Sequence, residues 1–177
     1  MAHLPPSADS GWAMKASQTI DAPVEIVWKV LLDFPSYAEW NPFVRKQVVT
    51  DKANNVLDNQ TAVEGAMLNM TTNIPPSMSP SASARETRVT ISHVDHDKHT
   101  VSWVFDSMPS FLLRSVRWQS VTATEDGKSR YESIEVFSGS LVSIMKIFIG
   151  SDLKKAFDGM AEGLKKRSEQ RQAAQAQ

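Results

Sequence analysis

The 177-residue chain contains no cysteine. That excludes a disulfide framework, a thiolate metal site and a cysteine nucleophile. Neither sign of charge is in excess: 19 Lys+Arg stand against 20 Asp+Glu, giving a net charge of −1 and a pI near 6.4. So even a balance supplies no overall attraction to a phosphate backbone or an acidic membrane, which disfavours a nucleic-acid binder. No run approaches the ~18 uninterrupted apolar residues of a transmembrane helix. The opening MAHLPPSADSGW lacks the apolar stretch that a signal peptide requires. Gly-rich phosphate loops, GxSxG and HExxH are missing as well. What is present is ordinary globular composition, 41% hydrophobic and 22% charged, over the length of about one domain. The chain is therefore expected to be a soluble, cytoplasmic single domain. Five Trp and eight Met accompany only seven Gly, so bulky and pliable apolar side chains are plentiful, and their destination is the question.

Residues 1–12 read as a polar, Pro-containing flexible arm, residues 13–170 as one domain and 171–177 as a frayed tail. Residues 14–20 alternate as a strand. Asp21-Ala22-Pro23 announces a helix, because Pro is tolerated in a first turn. Ile26, Val27, Val30, Leu31 and Phe34 then recur at helical period until Pro35 stops them, with a further helical turn at 37–40. Beyond it the period shortens towards two. Residues 43–50, 62–74, 87–94, 100–105, 112–124 and 129–138 are strand candidates rich in Val, Thr, Ile and aromatics. Asp126-Gly127 marks a hairpin, and residues 75–84 a flexible loop. Leu141, Ile144, Met145 and Phe148 resume a helical face. Gly150-Ser151 is expected to interrupt it, and Leu153, Phe157, Met160 and Leu164 continue as a second stripe. Strands segregated from helices predict an α+β fold: a curved antiparallel sheet of about seven strands, with the long C-terminal helix on its concave face.

Residues 20–44, IDAPVEIVWKVLLDFPSYAEWNPFV, resemble the opening of the START-like (SRPBCC, birch-pollen-allergen-like) superfamily. The shared features are Ala22-Pro23, Val27-Trp28, Asp33-Phe34-Pro35, Tyr37 and Trp40-Asn41-Pro42, in the manner of the polyketide cyclase/dehydrase and coenzyme-Q-binding branches. Phe137-Ser138-Gly139-Ser140-Leu141 is similar to the family's strand exit. The Phe157, Met160, Leu164, Lys165, Arg167 and Glu169 pattern is similar to its terminal helix. The resemblance implies a helix-grip fold with a hydrophobic cavity and a bound apolar small molecule, and it names no single reaction.

Alternation places Arg117 and Gln119 on one face of their strand and Tyr131, Ser133, Glu135 and Phe137 on one face of its partner. Comparison with the family strands turns these inward, with Glu135 at the family's glutamate. A three-residue hairpin loop sets Arg117 opposite Glu135, whereas a two-residue loop sets Trp118 there. Glu135 is the candidate acid/base and Arg117 its electrostatic partner, with no cofactor and no metal. The candidate ligand-binding residues are Tyr37, Trp40, Asn41, Trp103, Phe105, Gln119, Ser133, Phe137, Phe157, Met160 and Leu164. Met67 and Met70 lie on opposite strand faces, so at most one faces a cavity. His93, Asp95, His96 and His99 have metal-ligand chemistry, but they sit at an expected turn where solvated Asp and His need no metal. Two readings follow. One is cofactor-independent cyclisation, dehydration or isomerisation of a polyketide-like or aromatic intermediate; the other is a non-catalytic lipid or quinone carrier. The expected partner is thus a hydrophobic small molecule, without nucleic acid or membrane insertion.

Overall fold

A computed structural model describes residues 5–175. The first four residues of the expected arm and the last two of the expected tail lie outside the described residues. Seven strands form one antiparallel sheet: β1 (Trp12–Ile20), β2 (Val44–Thr50), β3 (Met67–Asn73), β4 (Ala84–Asp95), β5 (Thr100–Phe105), β6 (Arg114–Ala123) and β7 (Ser129–Ser138). Their spatial order is β1-β7-β6-β5-β4-β3-β2. Two short helices, α1 (Val24–Leu32) and α2 (Tyr37–Trp40), follow β1, and α3 (Val142–Gln175) closes the chain. This is the α+β helix grip that the sequence implies.

Helix α1 starts after Pro23, places Glu25 in its first turn and Lys29 in its last, and buries Val27, Trp28, Val30 and Leu31. A 3-10 turn at Phe34–Ser36 bends the chain into α2. Asn41 ends α2, and its Oδ1 accepts the backbone N–H groups of Phe43 (3.0 Å) and Val44 (2.9 Å). Because Asn41 is fully buried, removing that acceptor strands two donors away from water. Asn41→Ala is expected to cost about 2 kcal/mol, read as a lowered denaturant midpoint with an unchanged m-value.

Three expectations about boundaries are corrected. The strand expected at 62–74 begins only at Met67, since Gly65 (φ +83°) belongs to a turn. The strand expected at 87–94 begins earlier, at Ala84, and runs to Asp95. Gly150-Ser151 does not interrupt the last helix, which runs 34 residues without a break. One glycine costs a helix only about 1 kcal/mol, and Gly150 lies against the Trp12 indole, so packing outweighs propensity.

The second half of α3 is strapped to the sheet edge and the short helices. Lys165 Nζ donates to Thr19 O (2.8 Å), Glu169 accepts Asp21 N–H (3.0 Å), and Arg167 and Arg171 pair with Glu39 and Asp33. On the face of α3 that meets the sheet, Leu153, Phe157, Met160 and Leu164 are buried. Its first turns stand differently: Met145 and Ile149 turn inward, while Ile144, Ile147 and Phe148 are exposed.

Candidate functional site

The hairpin between β6 and β7 decides the register of the site. Thr124 N donates to Lys128 O (2.9 Å) and Gly127 N to Thr124 O (3.1 Å), so the loop proper is Glu125-Asp126-Gly127. Gly127 has φ +78°, the left-handed conformation that such a loop needs. With this loop Arg117 pairs with Glu135, Gln119 with Ser133 and Ser115 with Phe137. The three-residue alternative therefore holds, and Trp118 faces outward, stacked on His93 at 5.0 Å between ring centroids.

The polar side chains of this inner face bond diagonally, one step off the direct pairs. Tyr131 Oη donates to Gln119 Oε1 (2.6 Å), Arg117 Nε to Ser133 Oγ (3.2 Å), and Ser115 Oγ to Glu135 Oε1 (2.7 Å). Such diagonal neighbours are within reach of long side chains on one sheet face. The shift draws Arg117 deeper and leaves Glu135 nearer the opening. Among the described residues Arg117 and Glu135 close no ion pair, although they are direct cross-strand partners. Arg117 is buried, its guanidinium lies 4.2 Å from the Phe157 ring centroid and 5.5 Å from that of Phe43, and Nη2 meets Met160 Sδ at 3.3 Å. Two aromatic faces and a hydroxyl offset the desolvation of this cation.

A cavity of about 200 Å³ lies between the concave sheet face and the first half of α3. Trp103, Phe105, Arg117, Glu135 and Phe137 of the candidate set line it, joined by Met70, Thr87, Leu113 and Ser115. Met145, Ile149 and Leu153 close it from the helix. Met67 is not in the wall, as its opposite strand face requires. Gln119, Ser133, Phe157, Met160 and Leu164 are buried behind the wall rather than in it. Tyr37, Trp40 and Asn41 are likewise absent from the lining. Tyr37 donates to Leu31 O (2.6 Å) and packs edge-on against Phe34 and Trp40, so this trio builds the floor under β2. Ser115, Thr87, Leu113, Met145, Ile149 and Leu153 are among the cavity residues outside the candidate set. Ser115 shares Arg117's strand face, so alternation alone marks it. Met145 needed the rotation of α3, which periodicity leaves open.

Burial pushes the Glu135 carboxyl above the ordinary carboxylate range, and the nearby Arg117 and the Ser115 hydroxyl only partly oppose that rise. A carboxyl that holds its proton more firmly than usual, facing an apolar hollow, can donate that proton to a ligand oxygen. Its anion, once formed, is met by Arg117 and Ser115. Arg117→Met is expected to raise the Glu135 pKa further, because it removes the cation that lowers it, while changing stability by no more than about 1–2 kcal/mol. A carbon-detected NMR titration of Glu135 with thermal melts checks both.

His93, His96 and His99 are each engaged elsewhere. His96 Nδ1 accepts from Trp28 Nε1 (3.2 Å), His99 contacts Glu25 (3.0 Å) and His93 contacts Glu64 (3.2 Å). Among the described residues no three His, Cys, Asp or Glu converge in a way that could hold a metal ion. A larger hollow of about 610 Å³ opens beside Pro5 and Pro6, but Lys15, Glu132 and Lys154 border it as solvated charges, so it suits water rather than an apolar ligand.

Among solved structures the fold is similar to the Helicobacter pylori protein jhp0584 (10% identity, TM-score 0.71, covering 95% of this chain and 97% of that one). It is also similar to the Zhui aromatase/cyclase of Streptomyces sp. R1128 (10% identity, TM-score 0.65, covering 90% and 94%). A third likeness is to norcoclaurine synthase of Thalictrum flavum (13% identity, TM-score 0.62, covering 90% and 94%). At such identities the likeness is one of fold. No match is found among curated proteins. The family model described as polyketide cyclase / dehydrase and lipid transport matches residues 12–169. With the helix grip, the cavity and that match in place, the chain belongs to this polyketide cyclase/dehydrase and lipid-transport family of the START-like superfamily.

Proposed function

We propose that the protein binds a compact hydrophobic molecule in the 200 Å³ cavity and promotes its cyclisation, dehydration or isomerisation without a cofactor. The observation that carries this reading is Glu135: one carboxyl with a raised pKa, facing an otherwise mostly apolar hollow beside a buried cation. Glu135 acts as acid and base on an oxygen or an adjacent carbon of the substrate. Arg117 stabilises the negative charge that develops, and the dry walls hold a near-attack conformer. A cavity only somewhat larger than the ~150 Å³ that accommodates benzene favours a substrate on the order of one substituted ring. The wall residues Trp103, Phe105 and Phe137 would hold that ring.

The family description also covers lipid transport, and the exposed apolar rim of the cavity favours a second reading, a carrier that uses the same hollow without chemistry. Native mass spectrometry of the purified protein, followed by incubation of whatever ligand it carries, separates the two. Conversion of the ligand by the wild type and its unchanged retention by Glu135→Gln support the enzyme. Retention by both proteins without conversion supports the carrier.

A further inference from the structure

The cavity is bordered by an apolar surface that folding leaves uncovered. Phe111 is 71% exposed, Ile144 55%, Ile147 79% and Phe148 78%, with the exposed Met108 three residues before Phe111. Two segments join to make it. Ser140 N donates to Phe111 O (2.9 Å) and Leu141 N to Leu112 O (3.0 Å), so the β5–β6 loop is bonded to the start of α3. Ile144, Ile147 and Phe148 follow at i, i+3 and i+4 on the outer side of that helix. Met145 and Ile149, on its other side, belong to the cavity wall, as does Leu113 from the loop. The opening turns of α3 therefore carry apolar side chains on two faces: one inside the cavity and the other in water, beside Lys146. A helix of that kind is ordinarily buried on both sides, and a soluble monomer rarely leaves such a cluster exposed without a partner.

Charge indicates what covers it. The chain as a whole is balanced, but residues 107–114 and 138–151 carry Arg114 and Lys146 and no acidic residue. Both cations are exposed. The nearest acids in sequence flank these segments: Asp106 precedes the first, and Asp152, which follows the second, is neutralised by Lys155 at 2.8 Å. Side chains nearly four-fifths exposed project from the surface rather than line a groove, so they suit insertion among acyl chains better than a fit into a second rigid protein surface. An apolar stripe with basic residues on its flanks is the pattern of a surface that settles into the headgroup boundary of an anionic bilayer.

We propose that Met108, Phe111, Ile144, Ile147 and Phe148, flanked by Arg114 and Lys146, form a docking surface for an anionic lipid bilayer, through which the cavity exchanges its ligand. The exchange rests on the reading that the cavity takes an apolar molecule; the docking itself does not. Seated this way, the outer side of these helical turns meets the lipid phase while their inner side walls the cavity, so an apolar ligand leaving past the rim passes between cavity and bilayer without crossing water.

Vesicle flotation tests the proposal, comparing phosphatidylcholine with phosphatidylcholine plus phosphatidylglycerol. The wild type is expected to float with the anionic vesicles, more weakly as salt is raised. Because the substituted residues are exposed, the variants retain the wild-type melting temperature. Lys146→Gln weakens binding about fivefold, and Ile147→Ser with Phe148→Ser weakens it on the order of a hundredfold. No flotation, or flotation that these changes leave intact, overturns the proposal. So does concentration-dependent dimerisation in sedimentation velocity that Ile147→Ser with Phe148→Ser abolishes, which assigns the patch to a second copy of the chain. Quenching of tryptophan fluorescence by naphthol without vesicles, with Trp103 in the cavity wall, probes the cavity separately. Quenching without flotation rejects the docking and keeps the cavity reading, whereas flotation without quenching supports the docking and rejects the cavity reading.

Discussion

Glu135→Gln is expected to lower turnover of the cavity-bound substrate by about 10²–10⁴-fold, the usual contribution of a positioned acid/base group, while leaving the ligand's Kd within a few-fold. Glutamine keeps the volume and still accepts the Ser115 hydroxyl's hydrogen bond, so the wall that holds the ligand survives. What goes is the exchangeable proton. If kcat/KM falls only through KM, the residue binds substrate rather than moves a proton, and the acid/base proposal fails. The same substitution has a signature that needs no substrate. Glu135 is protonated more readily in the folded chain than in the unfolded one. Below the unfolded value of about 4.3 both states carry the proton, and its contribution does not vary with pH. As pH rises from there through the folded value, the unfolded chain binds fewer protons and folding stability declines, with a slope approaching ~1 kcal/mol per pH unit. Glu135→Gln removes that decline. The variant is therefore expected to be the more stable protein above the folded pKa, and chemical denaturation across a pH series reads the difference directly. A variant that is less active and yet more stable distinguishes a strained functional carboxyl from a structural one.

How the chain reveals this site is uneven. The turn residues speak plainly. Asp33-Phe34-Pro35 ends α1, and Asp126-Gly127 closes a hairpin whose left-handed glycine brings Arg117 opposite Glu135. Strand alternation groups Trp103 with Phe105, Arg117 with Gln119 and Glu135 with Phe137 on shared faces, because a half-buried sheet shows its inner face in every second residue, and the resemblance to the family strands turns the last two pairs inward. Helix α3 is less legible for the opposite reason. From Leu141 to Ile149 its residues are apolar in almost every direction, so Ile144 and Phe148 look as inward as Met145. Only the sheet beneath selects Met145 and Ile149. The diagonal bonding of Arg117 to Ser133 is also invisible in sequence, since it depends on side-chain reach rather than register. Tyr37, Trp40 and Asn41 carry the family resemblance strongly, but the physics behind those residues is local: a buried phenol bonded to Leu31 and an amide capping two backbone donors.

Helix α3 also carries the largest stability effect expected from one substitution. Gly163 lies beneath the end of α2, where an added Cβ would sit 2.5 Å from Trp40 O and 3.2 Å from its indole. The atom in the way is a backbone carbonyl, so no rotamer change relieves the clash. Gly163→Val must part α2 from α3. Val supplies only a few tenths of a kcal/mol of helix propensity over Gly, against an overpacking cost of about 3 kcal/mol or more. For a domain of this size the expected fall in Tm is on the order of 10 °C. Gly150→Ala in the same helix is expected to do the reverse. Its Cβ would rest at 3.4 Å from the Trp12 ring, an ordinary contact, and the helix gains up to about 1 kcal/mol. Opposite signs from two glycines of one helix make the test independent of helix propensity. The consequence reaches the site as well. Trp40 leads through Asn41 to Phe43, which packs on Phe157 at 5.6 Å and covers the Arg117 guanidinium. Displacing α2 loosens one of the two rings that hold the cation, so in Gly163→Val the Glu135 titration should shift along with the melt. If Tm falls while Glu135 titrates as in the wild type, then Phe157 and Ser133 hold Arg117 in place without the α2 side of its cage.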